Sequence, residues 1–160
     1  MKENWIAFKS PIGIVRVFEA KGIVTFIDIS ASDARVGSSG KSELLASAKS
    51  ELTEYFEGNR KAFSFPISLN AGTDFQRAVW KQIAKIGYGK SMTYSEIAKA
   101  IGKPLASRAV GGAVGSNPIP LVVGCHRVLG SGGKITGFSG GDGLPTKRWL
   151  LNLEGLGSKE

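Results

Sequence analysis

The sequence is poor in residues that bind metals or form cross-links. Its 160 residues include one cysteine, Cys125, and one histidine, His126. A single cysteine excludes an intramolecular disulfide, and with one histidine it cannot supply the soft ligand set of a zinc site. We therefore expect a reducing compartment, no bound metal and no cofactor.

Long apolar runs are also missing. The segment Met1–Trp5 lacks the apolar stretch of a secretion signal, and no run approaches the roughly 20 residues that span a bilayer. The sequence thus predicts a soluble protein with no membrane contact. We expect it to be cytoplasmic, or nuclear if the source is eukaryotic.

Acidic residues are scarce in one part of the chain only. Residues 1–70 carry nine Lys/Arg and eight Asp/Glu, whereas residues 71–150 carry eleven Lys/Arg and three Asp/Glu. The basic excess behind the net charge of +8 therefore lies in this second segment. Such a concentration is typical of a surface that meets a polyanion such as DNA, although a basic face that serves only solubility would look the same.

The hydrophobic pattern predicts an α+β protein with two domains. Three antiparallel strands over residues 5–30, a helix ending near Gly58 and an edge strand at 63–67 indicate a small N-terminal support domain, residues 1–68. Turn residues near 68–72 separate it from a C-terminal domain, residues 69–160, which we expect to be mostly helical.

Two short helices in the second domain predict a helix-turn-helix. They cover residues 93–102 and 105–114 and flank a tight turn at Lys103–Pro104. The second helix is rich in alanine and glycine, and glycine costs about 1 kcal/mol relative to alanine. This composition indicates a close approach to the helix backbone, by a DNA groove or by a neighbouring helix. Arg108 is its one long cation and suits the filling of a base stack.

The only cysteine and the only histidine are adjacent. The run Leu121–Val123 predicts a short buried strand that delivers Cys125, His126 and Arg127 at its end. Taken alone, a cysteine after three apolar residues is more often a small buried hydrophobe than a nucleophile. As a nucleophile it would need a base, because a thiol of pKa about 8.5 is mostly protonated at neutral pH. Successive strand residues point to opposite faces, so His126 would not contact the sulfur directly.

Seven short blocks carry a resemblance to a known family. They are Thr73-Asp74-Phe75-Gln76, Thr93-Tyr94-Ser95-Glu96-Ile97-Ala98, Ser107-Arg108-Ala109-Val110-Gly111, Asn117-Pro118-Ile119-Pro120, Cys125-His126-Arg127-Val128, Phe138-Ser139-Gly140-Gly141 and Lys147-Arg148-Trp149-Leu150-Leu151. Their order resembles that of the O6-alkylguanine-DNA alkyltransferases, also called methylated-DNA-protein-cysteine methyltransferases. The resemblance covers residues 63–155 strongly and the N-terminal domain loosely.

The resemblance implies a monomeric DNA repair enzyme. Such an enzyme flips O6-alkylguanine out of double-stranded DNA and transfers the alkyl group irreversibly to Cys125, once per molecule. By position, His126 would be linked through a water to Cys125 and directly to Glu154. Asn117 would fix the turn between the recognition helix and the active-site strand, and Tyr94 would hydrogen-bond the lesion base and help protonate the departing guanine.

The resemblance also implies a DNA-binding set and a base pocket. The DNA-binding residues would be Tyr94, Ser107, Arg108, Ala109 and Gly111, with Arg108 filling the space of the flipped base. The base pocket would contain Pro120, Val128, Phe138, Ser139 and Lys147. The sequence departs from the family at Gly124, where proline is usual, and at Phe138, where many members have a tyrosine hydroxyl.

Three other functions fit parts of the pattern. A lesion-binding helix-turn-helix protein without transfer activity is the main alternative, although related proteins of that kind lack the cysteine. A helix-turn-helix regulator has no need of Cys-His beside an Asn-Pro-x-Pro turn. A cysteine hydrolase would normally place its histidine far from the cysteine in sequence.

Overall fold

The computed structural model describes residues 3–30, 35–138 and 140–156. The chain divides into two compact units, one formed by residues up to Ser68 with Gly140–Asp142, the other by Leu69–Ser139 and the residues from Gly143 onward. None of the helices within the described ranges is long and apolar enough to cross a membrane.

The first unit is an antiparallel sheet covered by one helix. Its strands are β1 (Asn4–Ser10), β2 (Gly13–Ala20), β3 (Ile23–Ser30) and β4 (Gly37–Ser38), in the spatial order β3-β2-β1-β4. Helix α1 (Glu43–Phe56) packs against β1 and β2, and Ser42 caps it by accepting a hydrogen bond from the Leu45 N–H. The three long strands and the helix confirm the α+β prediction for this part of the chain.

The predicted edge strand at residues 63–67 is wrong. Only Ile67 forms a bridge, parallel to Val24, through bonds from Val24 N to Pro66 O and from Ser68 N to Val24 O, both 2.9 Å. Pro66 has no N–H to extend the ladder, so pairing stops after this single bridge. The short strand β4 was not predicted, because two residues show no alternation.

The second unit is mostly helical. Its elements are α2 (Asp74–Ala84), β5 (Met92–Thr93), α3 (Tyr94–Ala100), α4 (Ser107–Gly115), a one-turn 3₁₀ helix (Cys125–Arg127), β6 (Val128–Leu129), a second 3₁₀ turn (Ser131–Gly133) and α5 (Leu144–Leu153). The pair β5 and β6 is parallel.

Local capping fixes where the first helices of this unit begin. At α2, Thr73 accepts a hydrogen bond from Gln76 N and donates its own N–H to the Gln76 side chain. Thr93 and Glu96 form the same reciprocal box at α3. Helices α3 and α4 pack on each other and on α2, which makes the predicted helix-turn-helix.

The predicted active-site strand at Leu121–Val123 is wrong. Leu121 has a φ of 77°, and Val123 N donates to Ile119 O at 2.9 Å, so the chain turns here. The Asn117 side chain satisfies backbone groups that a neighbouring strand would otherwise pair. Its Nδ2 donates to Val123 O at 2.7 Å, and its Oδ1 accepts from Ile119 N at 2.9 Å. Prolines at 118 and 120 remove two further donors from this segment.

Candidate active site

Cys125 follows a tight inverse γ-turn. Gly124 has φ −72° and ψ 66°, and Cys125 N donates to Val123 O at 2.7 Å. This φ is open to any L-residue, so the backbone does not require glycine at 124. The 3₁₀ turn that begins at Cys125 separates adjacent side chains by about a third of a turn. The Cys125 and His126 side chains therefore point in different directions.

The thiol lies at a cavity of about 300 Å³. Cys125 itself is 7% exposed. The cavity is lined by Tyr94, Gly111, Val114, Gly115, Cys125, Gly137 and Phe138. Residues from α3, α4 and the loop before α5 thus enclose a mainly apolar space in front of the sulfur, at the lower end of the size range of small-molecule pockets.

Behind the thiol, one buried carboxylate collects four donors. Glu154 interacts with His126 Nε2 at 2.6 Å, Arg127 Nε at 2.8 Å, Arg127 Nη2 at 3.0 Å and Gly89 N at 3.1 Å. Arg127 also donates from Nη1 to Ile86 O at 2.8 Å. A buried carboxylate that accepts two bonds from a guanidinium is ionised and can only accept.

This arrangement fixes the tautomer of His126. Because Glu154 can only accept, Nε2 of His126 carries the proton and Nδ1 carries the basic lone pair. Burial lowers the pKa of His126, against the hydrogen bond and charge of Glu154, and Arg127 and Lys147 lower it further. The imidazole is therefore neutral at neutral pH and able to accept a proton at Nδ1.

The electrostatics of the Cys125 thiol have two opposing parts. Burial raises its pKa, while a hydrogen bond from the Asn117 side chain, the charge of Lys147 and two backbone N–H groups act in the opposite direction. The resting group is a protonated thiol in a site where several groups stabilise the thiolate.

Lys147 is fully buried and holds the loop that forms one cavity wall. Its Nζ donates to Val128 O at 2.6 Å, Thr136 O at 2.6 Å and Gly137 O at 3.2 Å. Burial lowers the pKa of Lys147 to about 8, with the Cys125 thiolate acting to raise it. The ammonium group thus links β6 to the loop that forms the cavity wall, and its charge interacts with the thiolate of Cys125.

A second, more open pocket of about 380 Å³ adjoins the helix-turn-helix. It is lined by Tyr94, Ser95, Ser107, Arg108, Gly111, Gly130, Ser131 and Thr136. It shares Tyr94 and Gly111 with the thiol cavity. Five of its eight lining residues carry a hydroxyl group and one, Arg108, is a cation.

The structure brings together most of the residues expected to act, though not all in the expected way. Phe138 and Tyr94 line the thiol cavity. The other expected pocket residues are not among the lining residues described for this cavity: Val128 and Lys147 are fully buried, and Pro120 is half-buried. Ala109 is exposed and lines neither pocket. Ser139 lies outside the described residues.

Sequence reasoning missed several groups at this site. The sequence places Arg127 beside Cys125 and His126 and counts it in the basic excess, but it does not predict that Arg127 is 6% exposed and bound to Glu154. Its position next to Cys125-His126 was the available signal. The Gly89 N–H and the cavity walls formed by Val114, Gly115 and Gly137 gave no signal, because they act through backbone or shape. Within the described ranges, no three His, Cys, Asp or Glu side chains group to hold a metal.

Fold and site together define a class: a helix-turn-helix protein with a buried cysteine at a cavity, next to a buried histidine that is bound to a glutamate. Known proteins give the family. The model of the 6-O-methylguanine DNA methyltransferase DNA binding domain matches residues 74–156, and that of the ribonuclease-like domain matches residues 5–69. The chain belongs to the 6-O-methylguanine DNA methyltransferase family.

Individual relatives cover most of the chain. A methylated-DNA–protein-cysteine methyltransferase of Methanosarcina acetivorans is 43% identical over 155 residues, 92% of this chain and 96% of the relative. The inducible Bacillus subtilis methyltransferase of the same name is 49% identical over 110 residues, 69% of this chain but only 60% of that protein. The crystal structure of Mycobacterium tuberculosis OGT in complex with DNA matches with a TM-score of 0.84 and 38% identity, covering 97% of this chain and 95% of that one.

Proposed function

We propose that this protein repairs DNA by direct reversal. It binds double-stranded DNA containing O6-alkylguanine, takes the flipped base into the cavity at Cys125 and transfers the alkyl group to the sulfur. The observation that carries this proposal is the buried set Cys125, His126 and Glu154 behind a cavity whose other wall is helix α4. The names of the relatives and the DNA-bound neighbour support it.

The transfer begins with removal of the thiol proton. Nδ1 of His126 accepts this proton through a bridging water, while Glu154 holds the imidazole and stabilises the imidazolium that forms. Asn117 and Lys147 stabilise the thiolate. The thiolate then attacks the alkyl carbon, the S–C bond forms and the bond between that carbon and guanine O6 breaks.

The departing guanine needs a proton and a place in the duplex. Tyr94 lines the cavity and would donate its hydroxyl proton to the leaving base. Arg108, exposed beside Tyr94 in the adjoining pocket, would fill the vacated position in the stack. Ser107, Ala109 and Gly111 would contact the DNA around it.

The product is a thioether at Cys125, which is not hydrolysed like an ester. Cys125 is the only cysteine of the sequence, so no second thiol can resolve it. Each molecule therefore acts once, as a methylated-DNA-[protein]-cysteine S-methyltransferase consumed by its reaction.

The two parts of the chain would divide the work. Residues 69–160 carry DNA binding and transfer, whereas residues 1–68 support them. The protein would act as a monomer, in the cytoplasm, or in the nucleus of a eukaryote. A lesion-binding protein without transfer activity is the alternative, and a cysteine provided with a base and an orienting carboxylate counts against it.

An intact-mass measurement tests the proposal. The protein is incubated with duplex DNA containing O6-methylguanine, and the Cys125→Ser variant serves as the matched control. We expect a stoichiometric gain of one methylene, mapped to Cys125 and absent in the variant. Tight binding to the lesion without any gain in mass would leave the alternative function in its place.

A further inference from the structure

The turn between α3 and α4 presents a leucine entirely to solvent. Leu105 is 99% exposed, whereas the other exposed large hydrophobic side chains that the structure describes, Ile23, Phe26 and Val36, lie between 39% and 46%. A leucine this exposed adds no packing to the fold and costs hydrophobic free energy. Leu105 can therefore contribute favourable hydrophobic free energy only by contacting another molecule.

The turn holds Leu105 in a defined place. Ala106 N donates to Lys103 O at 2.9 Å, which closes a four-residue turn with Pro104 at its second position. Proline fixes φ there, and Leu105 takes the third position, which usually carries a small or polar residue. The side chain is thus presented by a constrained backbone immediately before α4 begins at Ser107.

Leu105 continues the exposed face of α4. Leu105, Arg108, Ala109 and Gly112 are all exposed, and their spacing places them on one side of the helix and its entry turn. A helix that reads base edges in the major groove carries long polar side chains on the side that faces the DNA. Ala109 and Gly112 instead let the backbone approach a narrower groove, and proteins that bind the minor groove commonly insert leucine or other apolar side chains between base steps.

The charges around Leu105 favour a polyanion as the partner. Lys103 and Arg108 are exposed on either side of it, and Lys99 is exposed at the end of α3. This combination suits duplex DNA, because the cations can contact phosphates while the apolar side chain contacts sugars or base edges. The cations would repel an identical face on a second copy of this chain.

We infer that Leu105 is an apolar wedge that inserts into duplex DNA next to Arg108 and helps to open the stack for base flipping. This inference rests on the proposed function. Arg108 fills the space of the flipped base, while Leu105 unstacks the neighbouring step and lowers the cost of flipping.

The test compares three variants on two substrates. Leu105→Ala removes the wedge, Lys103→Ala removes a neighbouring cation, and Val36→Ala removes a comparable exposed apolar side chain in the first unit. The substrates are duplex DNA with O6-methylguanine beside a 2-aminopurine reporter, and free O6-benzylguanine. Transfer rates, affinity at several salt concentrations and reporter fluorescence are measured.

For Leu105→Ala we expect transfer in the duplex to slow about tenfold, as loss of one buried leucine contact would cause. The reporter should unstack less, while the salt dependence of affinity and the rate with the free base stay unchanged. Lys103→Ala should instead make the salt dependence shallower, and Val36→Ala should behave as wild type.

Other outcomes separate the inference from the function. Wild-type duplex rate and reporter signal in Leu105→Ala would overturn the wedge while transfer stands, as would equal losses on both substrates, which indicate damage to the site. A wild-type protein that reacts with neither substrate would overturn the proposed function itself.

Discussion

At the scale of single residues, Lys147 departs most from its expected role. It was expected as part of the base pocket, yet it is a buried ammonium group that holds three main-chain carbonyls and acts on the Cys125 thiolate. Its contacts hold the wall loop in place, and we expect its charge to stabilise the ionised sulfur.

Replacing Lys147 by methionine tests this electrostatic role. Without the cation the pKa of Cys125 rises further, and a rise of one unit lowers the thiolate fraction about tenfold at neutral pH. We expect Lys147→Met to slow alkylation of Cys125 by iodoacetamide about tenfold at pH 7 and to shift its pH–rate profile to higher pH. The control is Lys134→Met, which removes an exposed lysine of the same loop. Superimposable profiles for Lys147→Met and wild type would exclude the role.

The same residue gives a signed prediction for stability. The pKa of Lys147 is about 8 in the folded protein, below its ordinary value of 10.5. Between these values the unfolded chain binds more protons, so the free energy of unfolding rises with pH across this window. Denaturant titrations from pH 7 to 11 should show this rise in the wild type, and Lys147→Met should lack it.

At the scale of secondary-structure elements, α4 carries glycine where its own packing does not need it. A Cβ at Gly112 would meet no atom within 4 Å beyond its chain neighbours and the backbone of its own helix, and the residue is exposed in the middle of the helix. Packing within the described chain therefore does not explain glycine at this position, and we expect the close approach that the composition predicts to come from DNA. Packing explains other positions of the same helix, since Trp80 donates to Ala113 O at 2.8 Å.

Gly112→Ala should separate stability from DNA binding. Alanine raises helix propensity, so we expect the free energy of unfolding to increase by about 1 kcal/mol. The added methyl group should weaken duplex binding, because it holds the groove away from the backbone. Urea denaturation and fluorescence anisotropy with labelled duplex measure the two effects, and reaction with free O6-benzylguanine is the control. An increase in both stability and duplex affinity would contradict the prediction.

Elements were predictable where their signals were local. The helix that ends near Gly58 and the pair at residues 93–102 and 105–114 follow from patterns that lie within a few residues of each helix, so the sequence predicted them. The β5–β6 pair could not be found this way, because Met92 pairs with Val128 across a segment that contains both helices α3 and α4. The segment Leu121–Val123 has the composition of a strand, but the side chain of Asn117 satisfies its backbone and makes a turn.

At the scale of the whole molecule, charge divides between the surface and the interior. Of the eleven cations in residues 71–150, Arg127 and Lys147 are buried and do not face a polyanion. The sequence count therefore overstates the basic surface. These two buried cations instead organise the site, which composition alone could not show, because Arg127 is held by the carboxylate of Glu154 and Lys147 by main-chain carbonyls.

Glu154→Gln should destabilise the protein as a whole. The change leaves the Arg127 guanidinium buried without its counter-ion, and breaking a buried ion pair from one side costs about 3 kcal/mol or more. Asp28→Asn is the control, because the Arg16–Asp28 pair is partly exposed and such pairs contribute about 1 kcal/mol or less. Urea denaturation followed by tryptophan fluorescence measures both, and similar losses in the two variants would contradict this account.

The separation of His126 from Glu154 along the chain also matters for synthesis. The two residues are 28 positions apart, and a ribosome makes the histidine and the cysteine first. A growing chain therefore carries the thiol before Glu154, the hydrogen-bond partner of His126, exists. We therefore expect full transfer activity of Cys125 only once helix α5 has been made and has packed against the 3₁₀ turn that begins at Cys125.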